Sequence, residues 1–330
     1  MTARRVPLPS VPKFPHKLAA ALLGIAVVVG STASCALARA TSAPVRFDSG
    51  RAFEHVRQLV TLGPRPPGTP AAAQARRYIK SQLEAAGLQA IEQPFTASTP
   101  LGPIQMANVS AVIPGARTDR ILFGGHYDTK LFRRFRFVGA NDGGSSTAVL
   151  LELARVLKHR KNQFTIEIVF FDGEEALVDW SGTDHTYGSR TYVEAARKAG
   201  TLNMLRAMIL VDMVGERDLT IRRELQSTPW LTDLIWAAAH RLGYQSQFLQ
   251  DSRPVEDDHV PFLQAGVPAV DLIDDEPSYG RGSPEPGSDA SWHTSADTID
   301  VIAARSLQIV GDVLLTALPK IEDRLGKVEK

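Results

Sequence analysis

Short apolar runs rich in β-branched and aromatic residues alternate along this chain with stretches of helical periodicity, and that alternation constrains the fold more than any other feature. Residues 120–124, 165–171, 207–211 and 267–272 are too short and too β-rich for helices, so they read as buried central strands. Two further strands are expected at 90–95 and 106–113. Phe53, Val56, Leu59 and Val60 recur at helical spacing until Gly63-Pro64-Arg65-Pro66-Pro67-Gly68 breaks the chain. Further helices are expected at 71–86, 145–158, 189–199 and 229–242, and a closing one from Ala296 or Asp297 to about Leu325. Strands separated by helical crossovers pair in parallel. The expected fold class is therefore α/β, a three-layer sandwich whose central, mostly parallel mixed β-sheet is flanked by helices. No repeat interrupts the pattern, so residues 47–330 read as one domain.

The residues before that domain have a different character. Arg4, Arg5, Lys13 and Lys17 precede an apolar run over 18–30, and small residues follow. That run is shorter than the roughly 20 residues a spanning helix needs, which favours a signal peptide over a permanent anchor. Residues 1–40 are thus expected to be a signal peptide or membrane-targeting segment, with Ala38-Arg39-Ala40 as its cleavage site and 41–46 as a short linker. The protein is expected to be exported, to the periplasm or outside the cell. The only cysteine, Cys35, lies in this segment after Thr32-Ala33-Ser34, which leaves lipid anchoring as a lesser alternative. A mature chain without cysteine has neither a thiol nucleophile nor a sulfur ligand for a metal. A net charge of +1 provides no field to recruit nucleic acid. No obligate partner is evident, and a monomer is expected.

Polar residues gather where the central strands end. The strand at 120–124 leads to His126 and Asp128, that at 165–171 to Asp172, Glu174 and Glu175, and that at 207–211 to Asp212. Ligands of open α/β sheets bind beyond the carboxyl ends of the strands. Asp142 joins from the turn Gly139-Ala140-Asn141-Asp142-Gly143-Gly144, and His293 from the loop before the last helix. Carboxylates gathered this closely repel one another unless a cation neutralises them, so a divalent metal is expected. Nitrogen and oxygen ligands without sulfur suit a catalytic zinc with an open position. In the pair Glu174-Glu175, one carboxylate can bind metal while the other stays free to carry protons. Each residue alone has a plainer reading, since a lone Asp at a strand end is usually a turn former and a Glu-Glu pair is usually solvated. Their joint occurrence at successive strand ends argues for a site.

Read in order, Gly125-His126-Tyr127-Asp128, Gly139-Ala140-Asn141-Asp142, Phe170-Phe171-Asp172-Gly173-Glu174-Glu175, Asp212-Met213-Val214-Gly215, Asp258-His259-Val260-Pro261-Phe262 and His293-Thr294 resemble the zinc aminopeptidase family M28, which also contains the glutaminyl cyclases. The cyclase branch is favoured by His126-Tyr127-Asp128-Thr129-Lys130, by Glu174-Glu175-Ala176 followed by Trp180, and by Tyr187-Gly188-Ser189-Arg190. Glu256-Asp257-Asp258-His259 and Trp292-His293 point the same way. The resemblance implies Asp142, Glu175 and His293 as zinc ligands and Glu174 as general acid/base. It implies Asp212 and Asp257 as a hydrogen-bonded acid pair supporting proton transfer, with Trp180 and Trp292 as walls of the substrate pocket. The activity it implies is glutaminyl-peptide cyclotransferase, an acyltransferase that converts the N-terminal glutamine of peptides or proteins to pyroglutamate. Two departures stand out. Asn141-Asp142-Gly143-Gly144-Ser145-Ser146 is closer to peptidase wording, and Gly125 and Thr147 stand where vertebrate secreted cyclases carry a disulfide.

One Zn2+ is expected and a second is possible. His126 is either a second metal ligand with Asp212, as in two-zinc aminopeptidases, or a hydrogen-bonded structural residue, the reading placed ahead. A two-zinc aminopeptidase is the runner-up function. A catalytically silent module is disfavoured because every proposed ligand is present, and a serine hydrolase because no G-x-S-x-G elbow occurs. Asp128 reads as an orienting group, His185 as a surface loop residue, His259 as a cap for the helix that follows, and Arg133-Arg134-Phe135-Arg136 as an exposed loop.

Overall fold

Burial along the central strands is nearly continuous, and alternate side chains feed two separate cores. In this computed structural model, which describes residues 45–274 and 291–327, Ile121 and Phe123 enter one core while Leu122 enters the other. The same division separates Ile168 and Phe170 from Val169 and Phe171, and Ile209 and Val211 from Met208 and Leu210. A sheet with both faces covered requires this of its central strands. The expected targeting segment with Cys35, and nearly all of the 273–291 loop, lie outside the described residues.

The sheet has six strands. β1 (Ala90–Thr99) and β2 (Gly102–Ile113) form an antiparallel hairpin, and β2 runs antiparallel to β4 (Phe164–Phe171). β3 (Arg117–His126), β4, β5 (Leu205–Asp212) and β8 (Ala269–Ile273) are parallel, and the order across the sheet is β1-β2-β4-β3-β5-β8. The α/β class and the mostly parallel mixed sheet are as expected from sequence. The hairpin is longer than the two predicted strands because its outer half is largely solvated and has no continuous apolar run to mark it.

Helices cover both faces. α1 (Ser49–Leu62), α2 (Pro70–Ala85), α3 (Gly144–Leu157), α5 (Pro229–Arg241) and α7 (Ala304–Lys327) pack into the larger core, and α4 (Tyr187–Lys198) and α6 (Val260–Gln264) into the smaller. α1 begins at Asp48, whose carboxylate accepts from the amides of Gly50 and Arg51. α2 begins at Thr69, whose hydroxyl accepts from Ala72, with Pro70 in the first turn. Two expectations need correction. The closing helix starts at Ala304 rather than at 296–297, because Asp297 lies outside any helix and Ile299–Val301 form a separate 3-10 turn. A two-stranded parallel sheet of β6 (Ile221–Glu224) and β7 (Phe248–Arg253) was not anticipated, since most of its residues are polar. No helix among the described residues is long and apolar enough to cross a membrane.

Candidate active site

Parallel register brings the ends of the central strands level. His126 pairs with Phe171 and Gly124 with Leu210, so residues just past β3, β4 and β5 emerge side by side. The amides of Glu174 and Glu175 donate to the two oxygens of Asp128 at 3.2 and 3.3 Å, which fixes the turn carrying both glutamates. His126 Nε2 lies 3.0 Å from Asp212 Oδ1 and 3.1 Å from Asp142 Oδ1. Asp172, expected in the same crevice, instead accepts from the Ala107 amide and from Arg76 and so ties β4 to β2 and α2.

The turn that presents Asp142 is held from two directions. Asp297 accepts from the amides of Asn141 at 2.7 Å and Asp142 at 3.1 Å. On the other side the fully buried guanidinium of Arg65 donates to the carbonyls of Val138 at 2.6 Å, Gly139 at 2.9 Å and Tyr127 at 3.0 Å. Burial pulls the Arg65 pKa down to about 10 against the opposing pull of Asp297, Asp128 and Asp142, so it remains a cation at neutral pH. The turn also needs its glycines. Gly139 and Gly143 adopt φ of 52° and 79°, and a Cβ there would sit 2.3 Å from the Asp142 carbonyl oxygen and 2.4 Å from that of Asp128. Sequence reasoning missed both clamps. A charged residue inside a Pro/Gly break looks like solvated surface, and Asp297 looked like the start of a helix.

His293 completes the cluster from a left-handed backbone conformation, φ 54°. Its Nε2 lies 3.0 Å from Glu175 Oε1 and 3.4 Å from Asp142 Oδ2. Trp292 stacks on its ring at 4.0 Å, and Phe132 and Phe137 meet it edge-on at 5.5 and 5.8 Å. Asp142, Glu175 and His293 thus offer donor atoms all within 4.8 Å of one another, as do His126, Asp142 and Asp212. The donors are imidazole nitrogens and carboxylate oxygens, and Asp142 Oδ2 is buried with no hydrogen-bond donor. A buried carboxylate oxygen without a proton donor is what a cation would satisfy, so the residues fit a zinc ion.

Charge crowding at this end of the sheet perturbs its groups strongly. Burial, reinforced by Asp257, Glu175 and Asp258, raises Glu174 well above the usual carboxylate range against the opposing charge of His126. Burial and the Asp212 and Asp258 charges raise Asp257 likewise. Burial lowers His293, but Glu175 and Asp142 outweigh it and push the imidazole up to about 9. Asp142 moves the other way, since the two histidines overcome its burial.

A cavity of about 450 Å³ opens over this cluster. Asp142, Glu174, Glu175, Asp212, Asp257 and His293 line it together with Trp180 and Trp292. Asp257 Oδ1 accepts from the Asp258 amide, while its Oδ2 is buried without a partner. The acids expected as a hydrogen-bonded pair therefore share the cavity, but Asp257 Oδ2 makes no hydrogen bond to Asp212. His185 is buried, not on the surface, and stacks on Trp180 at 4.4 Å and 12°. His259 stands at the N-cap of α6 as expected, but its side chain makes no capping bond, its Nε2 lying 3.1 Å from Glu224 Oε2. Arg133, Arg134 and Arg136 are exposed as expected. A larger cleft of about 670 Å³ near the amino end of β5 has no carboxylate or imidazole in its lining and cannot supply this chemistry.

Comparison with known proteins agrees with the geometry. Residues 108–318 match the model of peptidase family M28. A mouse glutaminyl-peptide cyclotransferase-like protein is 33% identical over 263 residues, covering 71% of this chain and 66% of the mouse protein's length. A glutaminyl-peptide cyclotransferase of Boiga irregularis is 30% identical over 288 residues and 75% of each chain. Among solved structures, an Acidobacteriales bacterium glutaminyl cyclase is 40% identical with a TM-score of 0.79, covering 87% of this chain and 99% of its own. The chain belongs to peptidase family M28, among its glutaminyl-peptide cyclotransferases.

Proposed function

We propose that this protein is a zinc-dependent glutaminyl-peptide cyclotransferase, an acyltransferase that converts the N-terminal glutamine of peptides or proteins to pyroglutamate with release of ammonia. The observation that carries the reading is the position of Glu174, in a cavity walled by two tryptophans and outside the Asp142, Glu175 and His293 set. In the reaction the α-amine nitrogen bonds to Cδ of its own residue, the Cδ–Nε2 bond breaks, and one amine proton leaves with ammonia. No water molecule enters the balance. Glu174 takes that proton and returns it to the departing nitrogen. Asp212 and Asp257, in the same cavity, support the transfer, the Asp257 charge favouring the protonated form of Glu174. Trp180 and Trp292 cover the aliphatic part of the glutamine side chain and keep water out. Asp142, Glu175 and His293 would hold the zinc ion. When bound, zinc supplies a Lewis acid that polarises the carboxamide oxygen.

Incubating the zinc-loaded mature protein with a glutaminyl dipeptide, while following ammonia and product mass together, tests this reading. Ammonia with retention of both residues supports it, and free amino acid without ammonia refutes it. Glu174→Gln should lower the rate by about 100-fold to 10,000-fold with zinc retained. Near-normal turnover in that variant would remove Glu174 from the mechanism.

One observation supports a second reading. The His126, Asp142 and Asp212 group could take a second zinc, which would make the site that of a two-zinc aminopeptidase with Glu174 activating water. Metal counting separates the two, with one zinc per chain expected for the cyclase. We further assign export to the 1–40 segment and a monomeric state to the mature enzyme, to be checked by N-terminal sequencing of exported protein and by light scattering.

A further inference from the structure

We infer that Asp179 and Glu256 form an acidic lip on the cavity that selects substrates with a cationic side chain, lysine or arginine, directly after the N-terminal glutamine. The inference rests on the cyclase reading and specifies the peptides that the site prefers. Both carboxylates line the cavity that contains Glu174, and both are exposed where it opens. Because the glutamine side chain occupies the floor, the next residue leaves through the mouth and passes this lip.

The two acids are held in place. Glu256 Oε2 accepts from Trp180 Nε1 at 3.3 Å, and its Oε1 lies 3.9 Å from His185 Nε2, while the Trp180 ring stacks on His185. The loop bearing Asp179 is fastened by Asp184, which accepts from the amides of Leu177, Val178 and Asp179 and from the Tyr187 hydroxyl. Among the described lining residues no cation pairs with Asp179 or Glu256, since His293 faces Glu175 and Asp142 instead. Lys130 is the only Lys or Arg among the described lining residues, and its ammonium donates to the Ala176 carbonyl at 3.0 Å and lies 3.6 Å from Glu175. Deeper in the same cavity, Asp257 Oδ2 is buried and unpartnered. A neighbouring groove of about 430 Å³ shares Val178 and Asp179, so Asp179 borders both the cavity and this groove.

Exposed ion pairs are individually weak, so the selection should be modest and sensitive to salt. Steady-state kcat/KM is to be compared for zinc-loaded wild type, Glu256→Gln, Asp179→Asn and the double variant. The probes are peptide amides differing only in Lys, Ala or Glu at the second position, at low ionic strength. The wild type should favour the Lys peptide over the Glu peptide by roughly tenfold. Each single variant should narrow that ratio, and the double variant or about 1 M salt should bring it near unity. Ratios are taken within each variant, so any common loss of turnover cancels. Equal ammonia release from all three peptides by the wild type overturns the lip and leaves the cyclase reading standing, as does a ratio that survives in the double variant. No ammonia from any peptide overturns both.

Discussion

Replacing Arg65 by methionine should damage the protein more than any surface arginine change, although Arg65 lies outside the substrate cavity. The side chain is 0% exposed and donates to the carbonyls of Tyr127, Val138 and Gly139 at 3.0, 2.6 and 2.9 Å. Methionine fills similar volume but leaves those buried acceptors unpaired, at about 1–3 kcal/mol each. It also removes the cation facing Asp297, Asp128 and Asp142. Part of this is recovered, because the buried guanidinium no longer has to be desolvated. The net loss should be about 3–5 kcal/mol, the range for stripping one partner from a buried charge cluster. For a domain of this size that lowers Tm by roughly 6–15 °C. Calorimetry with chelator and with zinc measures it, and a competing chelator should report zinc affinity reduced about 10-fold to 100-fold as the Asp142 turn loosens. Arg65→Lys, which keeps the charge but not the planar fork, should fall between the two. A methionine variant that melts within about 1 °C of wild type and binds zinc normally would refute the clamp.

Other outcomes follow from the same geometry. Asp297→Ala leaves the Asn141 and Asp142 amides without an acceptor and should weaken zinc binding about 10-fold to 100-fold by chelator competition, with Asp297→Asn milder. Zinc at about 100 times its dissociation constant should stabilise the fold by about 2.7 kcal/mol in thermal melts, and His293→Ala should abolish most of that gain. Gly311→Ala should destabilise by about 1 kcal/mol in urea melts. A Cβ there sits 2.4 Å from the Phe47 ring, and overpacking of about 1–3 kcal/mol outweighs a helix gain of about 1 kcal/mol.

The central strands were legible because both of their faces are buried, so β4 is apolar enough to stand out even with Glu167 inside it. Glu167 is held by Arg120 at 2.7 Å, a pairing no local pattern reveals. The cluster at the strand ends was legible for the related reason that acids directly after apolar runs are conspicuous. Residues that hold the site together were not. Arg65 reaches Val138 and Gly139 across more than 70 positions of chain, and Asp297 reaches Asn141 across more than 150, so neither carries a local signal. His185 was misread because its loop is polar. Its ring stacks on Trp180, a contact across the turn that Asp184 organises and that no local pattern reveals.

Four acids at this end of the sheet fall into two pairs according to what neutralises them. Asp128 and Asp297 spend their oxygens on backbone amides, those of Glu174 and Glu175 in one case and of Asn141 and Asp142 in the other. They are scaffolding. Each aims a reactive carboxylate by holding the amide of the same residue, so one layer of acids positions the next. Asp142 and Asp257 each keep a buried oxygen that no donor satisfies, and both line the cavity. Leaving such an oxygen unpaired costs about 1–3 kcal/mol or more, which a fold tolerates where another charge arrives to meet it. For Asp142, in the proposed function, that charge would be the metal ion. For Asp257, on the same proposal, it would be the ammonium or the proton that comes with the substrate. The division predicts which substitutions separate function from folding. Asp257→Asn should leave the melting temperature unchanged or higher while lowering turnover, whereas Asp128→Asn should lower both, because an amide can accept through only one of the two atoms that now hold Glu174 and Glu175 in place.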